Sequence, residues 1–205
     1  MKNMLKLGIT LALFAAAACV MLAFVYTGTA RIIAQRQQAD LEAALKELFP
    51  GADAFNEISG IQSPDPSVTI ESQYEARRGA ELAGAALRLS RAGYGGPIKM
   101  LVGVGVEGKI SGVKILEHQD TPGLGANAAS PSYFVDRAKG ITFYGQFAGK
   151  SVFDPFKVKE DVAAITASTV TSQAVVSAVR AAGLGVTAWI KGEPIDTVPG
   201  EGETE

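Results

Sequence analysis

The sequence predicts an α+β fold: a single N-terminal transmembrane helix, then one small domain with an antiparallel sheet and flanking helices. Three observations predict it. Residues 7–30 carry no charge. Residues 98–106 and 109–118 are apolar-rich segments that alternate over much of their length, joined by Glu107-Gly108, the pattern of a strand pair. Residues 170–182 place Val175, Val179 and Ala182 on one side of a helix. A chain of 205 residues has room for one ordinary domain plus an appendage. With 47% hydrophobic and 20% charged residues, it belongs with globular rather than disordered chains.

Charge and composition exclude several functions. Residues 31–190 hold 16 basic and 16 acidic side chains, so the body is neutral and nucleic acid is not its expected main partner. One Cys and one His leave no basis for a Cys/His metal site or Cys–His catalysis, and Cys19, as the sole cysteine, cannot form a disulfide within the chain.

The first element is the uncharged run. As a helix, residues 7–30 would extend roughly 36 Å, enough for a hydrocarbon core of about 30 Å with some tilt. Tyr26 sits near the far end, where an interfacial aromatic is favoured. Gly28-Thr29-Ala30 offers small residues for cleavage as a signal peptide. The run exceeds a usual signal core, however, and no clear A-x-A follows, so a retained anchor is expected. Cleavage before Cys19 as a lipoprotein would leave an apolar stretch behind it. Lys2 and Lys6 flank one end, Arg31 and Arg36 the other. The short N-terminus before a long body favours a body outside the cytoplasm.

From Arg31 to Leu48 the chain reads as a continuing helix, ended by Pro50-Gly51. Strands are expected around Ala54–Ile58 and Ser67–Ile70, then Glu71–Arg77, a turn at Arg78-Gly79, and Leu82–Ser90. In the clearest pair, Ile110, Val113 and Ile115 require a register adjustment near Gly112. Pro131–Lys139 suggests a short helix capped by Ser130, and residues 141–153 look extended. The helix from Val170 is expected to stop at Gly183 and Gly185.

Three segments depart from simple core-and-surface patterning. Gly93–Pro97, GYGGP, permits close backbone approach beside the aromatic Tyr94; on its own, a turn before a strand is the plainer explanation. Glu117–Gly125, EHQDTPGLG, forms a tight loop after a strand, and its His118 reads as a structural residue or an acid–base group without an evident nucleophile. In Ile165–Val179, four hydroxyls, Thr166, Ser168, Thr169 and Thr171, crowd before a helix. Capping needs one of them, and a helix start can also hold a phosphate.

Together, GYGGPIKMLVGV, KISGVKILEHQDTPGLG and the hydroxyl-rich stretch with TSQAVVSAV resemble the G subunit of the Rnf/Rsx electron-transport complex. Its FMN-binding domain is shared with the C subunit of sodium-pumping NADH:quinone reductase. The resemblance runs from the anchor to about Leu184. It implies that a flavin transferase splits FAD and leaves FMN joined through its phosphate to a threonine. The attachment pattern is Ser/Thr-Gly-Ala-Thr followed closely by Thr-Ser. Here it falls on Thr166-Ala167-Ser168-Thr169, then Val170-Thr171-Ser172, which implies Thr169 as the FMN-bearing residue. The sequence departs at two positions: Ala167 adds a Cβ where the pattern has Gly, and Ser168 adds a rival hydroxyl where it has Ala. Asp161 stands upstream, where the family tends to have an acid that assists modification; a solvated loop charge is its plainer role.

By the same resemblance, the start of the last helix, with Thr166, Ala167, Ser168, Val170 and Thr171, receives the phosphate. Tyr94, Gly95, His118, Thr121, Pro122, Gly123, Leu124 and Gly125 flank the ring system, with Leu124 as an apolar contact. The implied organisation is a membrane anchor over 1–30, a helical stalk over 31–50, the FMN-binding domain over 51–190 and an acidic flexible tail over 191–205. The implied function is that of a redox subunit, an electron carrier in an ion-translocating complex coupling ferredoxin/NAD electron transfer to Na⁺ or H⁺ movement. Its partners would be the other membrane subunits and the flavin transferase. The location would be the inner membrane, single-pass, N-terminus cytoplasmic and body periplasmic. The alternatives are a subunit of an NADH:quinone reductase and a non-redox scaffold or sensor.

Overall fold

The first 48 residues contain no interior Pro and only two glycines, Gly8 and Gly28, and the chain forms one long helix, α1 (Lys2–Leu48). The computed structural model describes residues 2–194. Its compact units are Met1–Ala43 and the chain from Ala44 onward. Within the first unit, the apolar side chains from Met4 to Tyr26 are exposed along the helix, which is long and apolar enough to cross a membrane. The hydroxyls of Thr10, Thr27 and Thr29 donate back to the carbonyls of Lys6, Ala23 and Val25, leaving no polar group of these side chains unpaired in an apolar surround.

The second unit is built on a five-stranded antiparallel meander in sequential order: β1 (Ala54–Ile58), β2 (Val68–Arg78), β3 (Glu81–Ala92), β4 (Pro97–Gly105) and β5 (Ile110–Glu117). Alternation decides the faces. Met100, Val102 and Val104 of β4 pair with Ile115, Val113 and Ile110 of β5, and all six join one core. The expected register adjustment near Gly112 is present. Gly103 pairs with Gly112 and Val104 with Ile110, so Ser111 is the extra residue of a bulge. Gly108 takes φ +72 in the connecting turn, a conformation that L side chains rarely adopt.

The opposite face carries a set of notches. A Cβ on Gly84 would come within 2.8 Å of the Phe49 ring, one on Gly103 within 3.2 Å of Leu48 Cβ, and one on Gly112 within 2.8 Å of Leu48 Cδ2. Three strands therefore lack side chains where Leu48 and Phe49 pack. Burial of each of those two side chains is worth about 1.5–3 kcal/mol.

The last helix, α2 (Thr169–Lys191), covers the core face with Val175, Val179, Ala182 and Val186. It does not stop at Gly183 and Gly185. A Cβ at Gly183 would lie 2.9 Å from Val152 Cγ1, and one at Gly185 would lie 2.5 Å from the Gln62 carbonyl. These glycines permit close approach rather than termination. The helix ends at Gly192, whose φ of +67 lets the Glu193 N–H reach the Ala188 carbonyl at 3.0 Å. Lys191 therefore closes α2, and residues 195–205 of the expected acidic tail lie outside the described residues.

Two other expectations fail. Pro131–Lys139 is not a helix, because side chains divert the backbone. Ser130 Oγ accepts the Ser132 N–H, and Asp136 Oδ1 accepts the N–H groups of Ala138 and Lys139. The segment forms a short strand, β6 (Phe134–Asp136), paired with β7 (Ile141–Thr142). Beyond β7, the residues up to 153 are turns and a 3₁₀ segment (Gly145–Phe147) rather than extended chain. They fold inward to bury Phe143 and Phe147, edge to face at 5.8 Å.

Candidate functional site

Three loops that are distant in sequence converge on one buried carboxylate, Asp120. The β3–β4 turn is closed by Gly93 N–H donating to the Gly96 carbonyl at 2.8 Å, and its Gly95 N–H donates to Asp120 Oδ1 at 2.6 Å. From the start of α2, Thr171 Oγ1 donates to Asp120 Oδ2 at 2.8 Å, and Ser168 Oγ donates to Thr171 Oγ1 at 2.9 Å. The loop after β5 supplies Asp120 itself. Close packing there depends on missing side chains: a Cβ at Gly95 would press on the Gln119 carbonyl, and one at Gly125 on the Asp120 carboxylate.

The loop from Thr121 to Gly125 is internally tied. Leu124 N–H donates to the Thr121 carbonyl, Asn127 Nδ2 donates to the Gly123 carbonyl, and Gly123 takes φ +79. Thr121, Pro122, Gly123 and Leu124 are left exposed, and Tyr94 on the neighbouring turn is 79% exposed. His118 is half-buried, and its Nδ1 is enclosed without a hydrogen-bond partner.

The approach to α2 is a tight turn held by Ser172. Its hydroxyl donates to the Ser168 carbonyl and accepts the Ile165 N–H, both at 2.9 Å. Ala167 takes φ +58, the left-handed region where a Cβ is costly. Thr166 donates its N–H to the Tyr133 hydroxyl at 3.2 Å. This turn sorts the four hydroxyl residues. Ser168 and Thr171 are buried, Thr166 and Thr169 exposed. Ser168 occupies the N-cap position, yet no side chain caps the helix, and the first turn holds no acid. The first N–H groups of α2 thus keep their capacity for an anion, with the helix dipole in support. Thr169 stands among them as an exposed residue, so the site fits a phosphate carried on its side chain.

The structure thus brings Gly95, Gly125, Ser168 and Thr171 together directly, with Thr166, Ala167, Thr169 and Val170 on the same turn and Thr121–Leu124 on the adjoining loop. Asp120, Ser172 and Tyr133 were missed by sequence reasoning. Asp120 was the findable one, an acid enclosed in a loop of Thr, Pro and Gly. Asp161 is not the solvated charge expected of it. Burial pushes its carboxyl up, but the Lys157 N–H at 2.6 Å, the Lys150 ammonium at 3.3 Å and the Phe156 N–H at 3.2 Å outweigh this and hold it below the ordinary value. It closes a loop in which Phe156 and Lys159 both have positive φ. A groove of ≈ 290 Å³ along α2, lined by Gln173, Ser177 and Arg180 among others, contains none of the residues predicted from sequence.

Comparison with known proteins identifies the family. Residues 93–183 match the family model described as FMN-binding domain, and residues 1–48 match that of the RnfG N-terminal region. The G subunit of the proton-translocating ferredoxin:NAD(+) oxidoreductase complex of Clostridium ljungdahlii is 32% identical over 180 residues, covering 85% of this chain and 86% of that one. The G subunit of the ion-translocating oxidoreductase complex of Cereibacter sphaeroides is 32% identical over 184 residues, 84% of this chain and 80% of its own. That of Methanosarcina acetivorans is 29% identical over 185 residues, 88% and 93%. The crystal structure of Shewanella oneidensis NqrC aligns with a TM-score of 0.46 at 18% identity, over 71% of this chain and 74% of that one. The chain belongs to the family of G subunits of ion-translocating oxidoreductase complexes, and its body carries that family's FMN-binding domain.

Proposed function

We propose that this chain is an electron-carrier subunit of a membrane complex that couples ferredoxin/NAD electron transfer to Na⁺ or H⁺ translocation, and that its FMN is covalently held through a phosphoester to Thr169. The observation that carries the reading is the sorting of hydroxyls at the start of α2: Thr169 is exposed beside uncapped N–H groups, while Ser168 and Thr171 are buried. The match of residues 1–48 to the RnfG N-terminal region favours the ferredoxin-linked complex over a quinone reductase.

When bound, the flavin supplies the redox chemistry. The protein supplies position and electrostatics. Thr169 fixes the phosphate, and the N–H groups of the first turn of α2 stabilise its charge, worth about 0.3–1 kcal/mol for an exposed site. Leu124 and Tyr94 offer exposed apolar surface to the ring system, and the Asp120 clasp holds their loops beside the helix start. Electron relay needs no general acid–base pair, and the His118 Nδ1 makes no hydrogen bond to a group it could activate. The uncharged stretch of α1 anchors the protein in the inner membrane, N-terminus cytoplasmic and body periplasmic, where a covalent link prevents loss of the cofactor. One span cannot form an ion path, so translocation belongs to the other subunits, and a flavin transferase completes maturation.

The test is the intact mass of the full-length protein made with an active flavin transferase, beside Thr169→Ala. The expected result is an added mass of one FMN less one water, lost in the variant. No added mass, with the transferase shown active on another protein, would sink the covalent-flavin reading.

A further inference from the structure

We propose that Asp120 is a positioning residue that selects which hydroxyl accepts the flavin. Through a buried hydrogen-bond chain it withholds Ser168 and Thr171 and leaves Thr169 as the acceptor. The inference rests on the covalent-flavin reading above and specifies its selectivity.

The direction of the chain follows from the carboxylate. Both oxygens of Asp120 accept, Oδ1 from Gly95 N–H at 2.6 Å and Oδ2 from Thr171 Oγ1 at 2.8 Å. Thr171 has one hydroxyl proton, and it is committed to Asp120. Its oxygen can therefore only accept from Ser168, which it does at 2.9 Å. Both protons point into the domain, and Ser168 and Thr171 are 8% and 0% exposed. Ser168 matters because it adjoins Thr169 and is chemically the same kind of nucleophile. Burial and the chain to Asp120 together separate the two in reactivity, and the chain is what holds the Ser168 hydroxyl inward. Removing the carboxylate releases the Thr171 proton, which removes the reason for Ser168 to point inward. It also deprives Gly95 of its acceptor, loosening the turn that lies against the helix start.

The step itself balances without any redox change. The Thr169 hydroxyl oxygen attacks the FMN-side phosphorus of flavin adenine dinucleotide. A bond forms between Thr169 Oγ and phosphorus, the bond from that phosphorus to the bridging oxygen breaks, and AMP departs carrying the proton that the hydroxyl gives up. An attacking hydroxyl must be reachable and able to pass its proton outward. Thr169 meets both conditions; Ser168 and Thr171 meet neither.

The experiment co-expresses the full-length chain with its flavin transferase, then maps flavin-bearing peptides by fragmentation mass spectrometry. Asp120→Asn keeps the size of the side chain but cannot accept at both atoms; Thr171→Val removes the middle hydroxyl at nearly constant shape. In the unaltered chain, FMN is expected on Thr169 alone. In either variant, the ratio of Ser168-linked to Thr169-linked FMN should rise by about tenfold, the scale set by losing one such hydrogen bond. Adding Ser168→Ala to either variant should restore a single site, which identifies Ser168 as the second acceptor. FMN on Thr169 alone in both variants would overturn the proposal and leave the flavin reading intact. Loss of all attachment from both variants, folded or not, would overturn it too, because transfer must continue at a second hydroxyl. FMN elsewhere than Thr169 in the unaltered chain would also overturn it. An unaltered chain carrying no flavin would defeat the underlying reading instead.

Discussion

Ala167 carries the cost that its departure from the Gly of the attachment pattern foreshadowed: its Cβ stands where the backbone is left-handed. A non-glycine residue at φ +58 loses about 1–2 kcal/mol to crowding of its Cβ, while glycine there gives back some of this in chain entropy. Ala167→Gly is therefore expected to stabilise the protein by up to about 1 kcal/mol, measured as a shift of the denaturant midpoint at constant slope. Asp161 gives a pH prediction. Its folded pKa lies below the unfolded value, so its contribution is present above that value, about 3.9, and is lost as pH falls through the lower folded one. The stability gap between the unaltered protein and Asp161→Asn should be full at neutral pH and shrink below about pH 4; a gap independent of pH would refute the assignment. Single residues were also where sequence reading fell short. Asp120 meets partners 25 and 51 positions away, and no local spacing announces such a meeting. The exposed Thr169, by contrast, lay within a motif legible as a short string.

At the level of elements, local periodicity succeeded where neighbours in sequence are also neighbours in space. The β4–β5 hairpin, its Gly108 turn and its bulge follow from alternation and a Glu-Gly pair. It failed where one residue type serves two purposes. Gly183 and Gly185 look like helix stops, yet each is a point of contact within α2. Two opposing effects set the outcome of substitution. Gly→Ala inside a helix ordinarily gains about 1 kcal/mol, whereas overpacking costs about 1–3 kcal/mol. Both Gly183→Ala and Gly185→Ala should destabilise, the latter more, because its Cβ would lie 2.5 Å from the backbone carbonyl of Gln62, against 2.9 Å from Val152 Cγ1 for the former. Thermal unfolding of the two variants would show it, and a raised melting temperature for Gly185→Ala would contradict the packing. The segment 131–139 failed for another reason: Asp136 and Ser130 satisfy the backbone locally and remove its incentive to coil.

For the whole molecule, the division into compact units falls inside α1, between Ala43 and Ala44. Composition alone places no boundary there, because the helix is continuous and only the burial of Ala44, Leu45, Leu48 and Phe49 marks the second unit. A chain begun at Ala44 keeps the residues that fill the notches at Gly84, Gly103 and Gly112; one begun at Ala52 leaves them open. The first should unfold in one cooperative transition. The second should lose several kcal/mol, about 1.5–3 for each of Leu48 and Phe49, and equal stability of the two would show that the notches do not matter.

The clasp at Asp120 also imposes an order in time. An unfolded chain presents every hydroxyl from Thr166 to Thr171 alike, and the distinction among them arises only after segments 25 and 51 residues apart have closed on one carboxylate. Such distant contacts form late in folding, after local hairpins and helices. If the hydroxyls are sorted as proposed, cofactor loading becomes a certificate of completed folding, issued after synthesis rather than during it. In a pulse–chase experiment, flavin should then appear on the chain after protease resistance, never before.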